Sequence, residues 1–276
     1  MLFNRARFFS LALGVPAALL CASGALAGGV VGPTELDTIG VFVPTTRTFF
    51  LRNSNSPGAA NVTVSFGPAG SEPAMGDFNG DGSDTIGVYV PATGRFYLKN
   101  TNTPGAATIN FRFGPASSTL DAIVGDWNGA SGDSIGLYDG VNGKFLLRNT
   151  NASGFADLTF SFGAKNAGLI PLRGNWSGGD SIDGIGVYNP ATGVFFLKDS
   201  PAAGAADFTF RFGPAGAGLI PVVGNWDDDD TDTIGLYNPT TGVLFLRNTN
   251  SSGPADLTFT FGGAGLTPVA GNWDGQ

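Results

Sequence analysis

A chain of 276 residues with net charge −8, no histidine and one cysteine excludes several function classes at once. Nothing in it would release counterions from a phosphate backbone, so nucleic acid is excluded as a partner, and no imidazole exists for a Ser-His-Asp triad or a histidine base. The 44 glycines and 23 phenylalanines, with Asp far outnumbering Glu, favour short strands joined by tight turns.

In chain order, Arg5 and Arg7 precede an apolar run over 8–20, and a small-residue stretch ends at Ala25-Leu26-Ala27. This pattern predicts a secretory signal peptide over 1–27 and export to a secreted or cell-surface location. The run of 13 residues falls short of the ~20 that span a bilayer, and no later segment replaces it, so no membrane insertion is expected after signal removal. Lipid attachment at Cys21 is disfavoured by the bulky leucine in the Ala18-Leu19-Leu20 run before it. Removal of 1–27 leaves no cysteine and a net charge near −10, with Glu35 and Glu72 as the only glutamates. Residues 28–36 form an N-terminal segment, and 37–276 form a single domain.

That domain is repetitive. Ile-Gly pairs begin at 39, 86, 135, 185 and 234, Phe-Gly pairs at 66, 113, 162, 212 and 261, and Gly-[Asp/Asn]-[Phe/Trp] at 76, 125, 174, 224 and 271. In the last full unit, period-2 alternation predicts strands over 233–237, 243–247, 257–261 and 267–273, with Pro239 and Gly242 marking the first turn. Four strands in a unit of about 49 residues is a propeller blade. The expected fold is all-β: a five-bladed β-propeller of four-stranded blades. The copies begin at Asp37 and end just after Trp273, one strand out of phase, so the C-terminal strand is expected to pair with the N-terminal three and close the ring. An open solenoid or part of a larger ring is the alternative.

Between the fourth strand of one copy and the first of the next lies Asp77-Phe78-Asn79-Gly80-Asp81-Gly82-Ser83-Asp84. Oxygen ligands at positions 1, 3 and 5 with Gly at 6 form the first half of a calcium loop, since alternate spacing aims successive oxygens inward around a sharp turn. The expected ligands are Asp77, Asn79, Asp81, the carbonyl of Ser83, and Asp84 closing the loop. A second site is expected from Asn225, Asp227, Asp229 and Asp232, with Asp230 in place of the turn glycine. Ala130 removes the central ligand from the loop at 126–133, the loop at 175–183 offers only Ser177, Asp180 and Asp183, and Asp274 with Asp37 makes at most a split site. The bland alternative is that these residues simply make solvated turns.

With the Ile-Gly strand after it and the Phe-Gly pair, this loop resembles the FG-GAP and VCBS repeats of integrin α-subunit propellers and bacterial surface proteins. The resemblance spans nearly all of 37–276. It implies structural calcium and an extracellular protein or glycan as partner. The closing acid departs from the family's position 9, standing at position 8 with Thr85 after it.

Trp127, Trp176, Trp226 and Trp273, with Phe78 in the same place, recur once per copy. They serve either as stacking platforms for sugars, making a multivalent lectin, or as filling between blades. Arg52, Lys99, Arg148, Lys198 and Arg247 recur likewise, as an anionic-glycan ring or as strand ends paired with neighbouring Asp. Propeller glycosidases use channel carboxylates, but the non-repeating acids Asp121, Asp139 and Asp199 form no motif. The expectation is therefore a non-catalytic binding or scaffold module, with a lectin as first alternative and a glycosidase as second.

Overall fold

A computed structural model describes residues 36–130, 132–179 and 181–275. The expected signal peptide, the start of the 28–36 segment and Asp180 lie outside the described residues. Twenty strands and no helix occur among the described residues. They form five four-stranded antiparallel sheets, with the strand order inside each sheet following the chain except at one place.

The first sheet joins β1 (Thr38–Val43), β2 (Thr48–Leu51) and β3 (Val62–Ser65) to the C-terminal β20 (Thr267–Gly271), which lies against β1. The second runs β4 (Glu72–Pro73), β5 (Gly87–Val90), β6 (Arg95–Leu98) and β7 (Ile109–Arg112). The third runs β8 (Asp121–Gly125), β9 (Ser134–Asp139), β10 (Lys144–Leu147) and β11 (Leu158–Ser161). The fourth runs β12 (Ile170–Gly174), β13 (Gly184–Asn189), β14 (Val194–Lys198) and β15 (Phe208–Arg211). The fifth holds β16 (Ile220–Gly224), β17 (Thr233–Asn238), β18 (Val243–Leu246) and β19 (Leu257–Thr260).

The fold is a five-bladed β-propeller, and its ring closes as expected: β20 pairs with β1 in the register Thr38 with Gly271 through Phe42 with Thr267. Strands β4, β8, β12, β16 and β20 are the innermost of their blades. β20 ends at Gly271, two residues before the sequence pattern suggests, because the chain turns there into the loop that buries Trp273. β4 is regular for only two residues, although β12, β16 and β20 carry a proline at the same place, and beyond it the pairing with the second strand continues through Ala74 N–H to Gly87 O and a Gly76–Thr85 bridge.

Burial follows strand position. The second strand of a blade is covered on both faces by neighbouring blades, so residues 38–42 of β1 and 233–237 of β17 are all buried, although the sequence alternates polar and apolar only weakly there. The outermost strands β11 and β15 alternate between half-buried and exposed, with Thr159 and Thr209 facing out. Within a blade, aromatics pack across neighbouring strands: Tyr138 with Phe145 at 4.7 Å and Phe145 with Phe160 at 5.6 Å between ring centroids. Such pairs add roughly 0.5–1.5 kcal/mol each beyond burial.

The Ile-Gly motif has a packing cause. A β-carbon on Gly235 would lie 2.6 Å from Leu246 Cδ2 and 2.9 Å from Val222 Cγ1, inside contact distance of both flanking strands. Gly235→Val is therefore expected to destabilise by roughly 2–4 kcal/mol, through overpacking. Urea unfolding with an unchanged midpoint would contradict it.

Candidate functional site: the acidic basin

The loops that leave the inner strands gather at one end of the channel around an open basin of about 740 Å³. Its lining includes Asp37, Asp84, Asp133, Asp183 and Asp232, the residue two before the Ile-Gly pair in every copy. The sequence reading gives Asp84 and Asp232 to calcium-loop closure; the structure turns all five across the blade boundary instead. Asp133 Oδ2 accepts the N–H of Asp77 at 3.1 Å, while the N–H of Asp133 donates to the carbonyl of Asp77 at 2.6 Å. The same two-bond clasp links Asp183 with Asp126 (3.0 and 2.7 Å), Asp232 with Asn175 (2.9 and 2.9 Å), and Asp37 with Asn225 (3.0 and 2.8 Å). At the seam, Asp84 Oδ2 accepts from Asn272 at 2.8 Å and the N–H of Asp84 donates to Asn272 at 2.8 Å.

These clasps explain the glycine of the Gly-[Asp/Asn]-[Phe/Trp] marker. A β-carbon on Gly76 would lie 2.5 Å from Asp133 Oδ2, and one on Gly125 2.6 Å from Asp183 Oδ2, so only glycine lets the neighbouring carboxylate reach the backbone.

Among the described residues, the five carboxylates of the ring face one cation in the basin lining. Arg173 stands on β12 where the other inner strands carry Met75, Val124, Val223 and Ala270, and its Nη1 lies 3.8 Å from Asp183 Oδ2 and 3.7 Å from Asp232 Oδ2. Burial pushes Asp133 up to about 7 despite Arg173, with repulsion from Asp84 adding to it. Asp183 is likewise pushed up to about 7 by burial, and Asp37 is raised well above its ordinary value by burial and by repulsion from Asp84 and Asp232. Burial opposes the charge of Arg173, but Asp183, Asp133 and Asp232 outweigh it and hold the guanidinium above its ordinary value. Sequence reasoning missed Arg173; its signal is that it alone puts a charge at an otherwise apolar repeat position.

In the loop at 77–84, Asp77 Oδ1 accepts N–H bonds from Asn79, Gly80 and Asp81, and Oδ2 accepts one from Gly82 at 2.8 Å. Asn79 Nδ2 donates to Asp81 Oδ2 at 2.7 Å, and Ser83 N–H donates to Asp81 Oδ1. Asp77, Asn79 and Asp81 thus stay together around the turn, and a hard cation suits their oxygens. Asp84 does not join them, being held by the seam clasp. In the second loop, Asn225 Oδ1 caps the N–H groups of Asp228 and Asp229, and Asp229 Oδ1 accepts from Thr231. Asp232 is held by its clasp and Arg173, and Asp227 sits with Asp229 on one side and Asn248 on the other. Asp228 and Asp230 take positive φ, 68° and 69°, close to the 72° and 84° of Gly80 and Gly82 at the same places, so the turn is kept with non-glycine residues in a strained backbone rather than distorted. Asp274 accepts from Asn53 Nδ2 at 2.6 Å, away from the clasp of Asp37.

Trp127, Trp176, Trp226 and Trp273 are buried at 2%, 2%, 3% and 6% exposure, and Phe78 at 7%. Their rings fill the cores between blades, so the sugar-stacking alternative loses its platforms. Trp127 Nε1 donates to Ser134 O at 3.1 Å and Trp176 Nε1 to Ile185 O at 3.2 Å, tying each loop to its own blade. The recurring cations are loop staples. Arg148 donates to the carbonyls of Ala152, Ser153 and Phe155, Arg247 to those of Ser251, Ser252 and Pro254, and Arg52 to those of Ser56, Pro57 and Ala59. Pairing with Asp holds for Arg148, Lys198 and Arg247, at 3.5–4.0 Å from Asp157, Asp207 and Asp256.

Of the non-repeating acids, Asp121 stands at the start of β8 and Glu72 at the start of β4, the strand ends opposite the basin. Burial raises both, and Asp121 adds to the shift of Glu72. Asp139 is held low by its hydrogen bond from Asn142, and the N–H of Asp199 donates to Asp207 at 3.0 Å.

No protein-family model and no curated protein matches the sequence. Seven chains among solved structures match. Two are crystal structures of BBS1N in complex with ARL6DN, one soaked with mercury and one with lead, each with a TM-score of 0.39 at 12% identity. The matches cover 74% and 84% of this chain and 58% and 62% of those chains, so this chain spans less than two thirds of their length.

Proposed function

We propose that this chain is an exported, non-catalytic propeller of the FG-GAP/VCBS type that acts as a binding or scaffold module and is stabilised by calcium. The observation that carries the reading is that its polar groups are spread over five near-equivalent loops around one acidic basin, rather than gathered as a nucleophile with a base. An acidic, open basin suits a cation or a cationic segment of an extracellular protein.

Asp77, Asn79 and Asp81, with the carbonyl of Ser83, would hold calcium at the first loop, and Asp227 and Asp229 would contribute at the second. Bound calcium would supply charge neutralisation among clustered carboxylates, and ligand binding to the folded state alone raises stability. Asp84 and Asp232 serve the blade clasps in this reading.

Calcium is expected to raise the melting temperature by several degrees, chelator to reverse this, and Asp81→Ala to remove much of the gain. A melting curve indifferent to chelator sinks the calcium component. Turnover across a chromogenic glycoside panel, abolished by Asp121→Asn, sinks the non-catalytic one in favour of a glycosidase.

A further inference from the structure

The turn between β1 and β2 breaks the repeat. Its fourth and last residue is Arg47, where the other four copies have Gly94, Gly143, Gly193 and Gly242. All five take the left-handed backbone, at φ 57° for Arg47 and 65°, 61°, 71° and 73° for the glycines. The position is crowded too: a β-carbon on Gly94 or Gly143 would lie 2.8 or 2.7 Å from a carbonyl oxygen of the facing loop. An L-residue is strained here, and strain kept at one copy of five is a pointer to function. Arg47 uses one donor, from Nη1 to Gly67 O at 3.2 Å, and among the described residues it has no carboxylate at salt-bridge distance.

A second cation lies beside it. Lys99 is 4% exposed, gives one hydrogen bond to Ala106 O at 3.2 Å, and lies 5.5 Å from the centroid of Phe66. In the next three copies the equivalent cation faces Asp157, Asp207 or Asp256, but the first two blades have Asn61 and Thr108 there; Arg52 of the first blade bonds three carbonyls, whereas Lys99 bonds one. A buried ammonium without a counter-charge is costly unless an anion joins it.

These two departures meet in one groove of about 320 Å³ between the first and second blades, lined by Arg47, Ser65, Phe66, Tyr97 and the wall at 105–107. Ala106 and Phe66, the two groups touching the Lys99 ammonium, are part of that lining. The equivalent groove between the fourth and fifth blades, about 330 Å³ and lined by Phe212, Pro214, Leu236 and Phe245 among others, has no charged residue. What distinguishes the first groove is the Arg47 side chain in its lining; a cation also stands behind the wall of the second groove, but there Arg247 is paired with Asp256.

We infer that the groove between the first two blades binds a carboxylate-bearing sugar ring of hexuronate size. The planar fork of Arg47 matches a carboxylate, Lys99 adds positive potential from behind the wall, Tyr97 offers an aromatic surface, and Ser65 offers a hydroxyl. The volume is at the lower end of small-molecule sites, room for one ring. The inference gives the binding-module reading a ligand class at a site remote from the calcium loops.

The test is calorimetric titration of the purified protein, in chelator, with D-glucuronate, D-glucose and sodium sulfate. Glucuronate is expected to bind and glucose not to; Arg47→Gly and Lys99→Met are each expected to weaken glucuronate roughly tenfold or more. Arg47→Gly installs the residue of the other four blades, so its melting temperature is expected to equal or exceed that of the parent. Absence of glucuronate binding, equal binding by sulfate, or undiminished binding by Arg47→Gly each overturns the inference. Because chelator is present throughout, such a failure is distinguishable from failure of the calcium result.

Discussion

Truncation before Thr267 is expected to abolish cooperative unfolding altogether. It removes β20, and with it the inner strand of the first blade, its five-residue register with β1, and the buried side chains of Val269 and Trp273. Those two pack with Phe42, Phe49, Leu51 and Ile86 between the first and second blades, and Ala270, lost with them, packs on the core shared with the fifth blade, so one cut opens the core on both sides of the first blade. Loss of a buried Trp alone costs about 3–5 kcal/mol, and the lost pairing and the newly bare edge of β1 add to it, against a total stability of roughly 5–15 kcal/mol. The cut also strips Asp84 of its clasp with Asn272. Urea unfolding followed by tryptophan fluorescence and far-ultraviolet circular dichroism checks this. A retained sigmoidal transition would show that four complete blades hold without closure. A synthetic peptide of residues 262–276 added in trans is expected to restore the transition.

The second large effect is a pH dependence centred on the carboxylate ring. Asp133 and Asp183 are raised to about 7 in the folded chain, above the unfolded carboxylate value near 4. The unfolded state releases these protons first, so the stabilisation tied to them is complete below about pH 4 and is lost as pH rises through 7. In chelator, these groups are expected to make the protein more stable at pH 5 than at pH 8. Arg173→Val should widen the gap: removing the one cation from a ring it touches at 3.7 and 3.8 Å is expected to cost about 3–5 kcal/mol at pH 8. At pH 5 the cost should be much smaller, because protonated carboxyls no longer need it. Urea midpoints of both proteins at the two pH values decide the matter, and equal losses at both would mean that Arg173 acts by packing alone.

The architecture was legible because the repeat markers are each imposed by a contact that every blade makes. Gly235 is required by Leu246, Gly76 by the carboxylate of Asp133, and Trp176 by the gap between two blades. The closing strand was legible from phase alone. The roles of Asp84 and Asp232 were not, since sequence spacing relates a residue to its own loop, whereas the clasp partner comes from the preceding blade, 188 residues away for Asp84 and Asn272. Arg173, Arg47 and Lys99 escaped for the opposite reason. Arg173 and Arg47 are each a departure at one position of one copy, and Lys99 is a repeat cation whose usual acid is replaced by Thr108, so the meaning of each depends on which other changes the ring places beside it.

All five blade junctions are held by the same pair of main-chain and carboxylate bonds, and inside the first blade β20 pairs with β1 over five residues as β8 does with β9, β12 with β13 and β16 with β17. The ring has no privileged starting blade. Circular permutants that join the present ends by a short linker and open the chain in the loop before β8, β12 or β16 should therefore keep the same native state, while their order of synthesis changes.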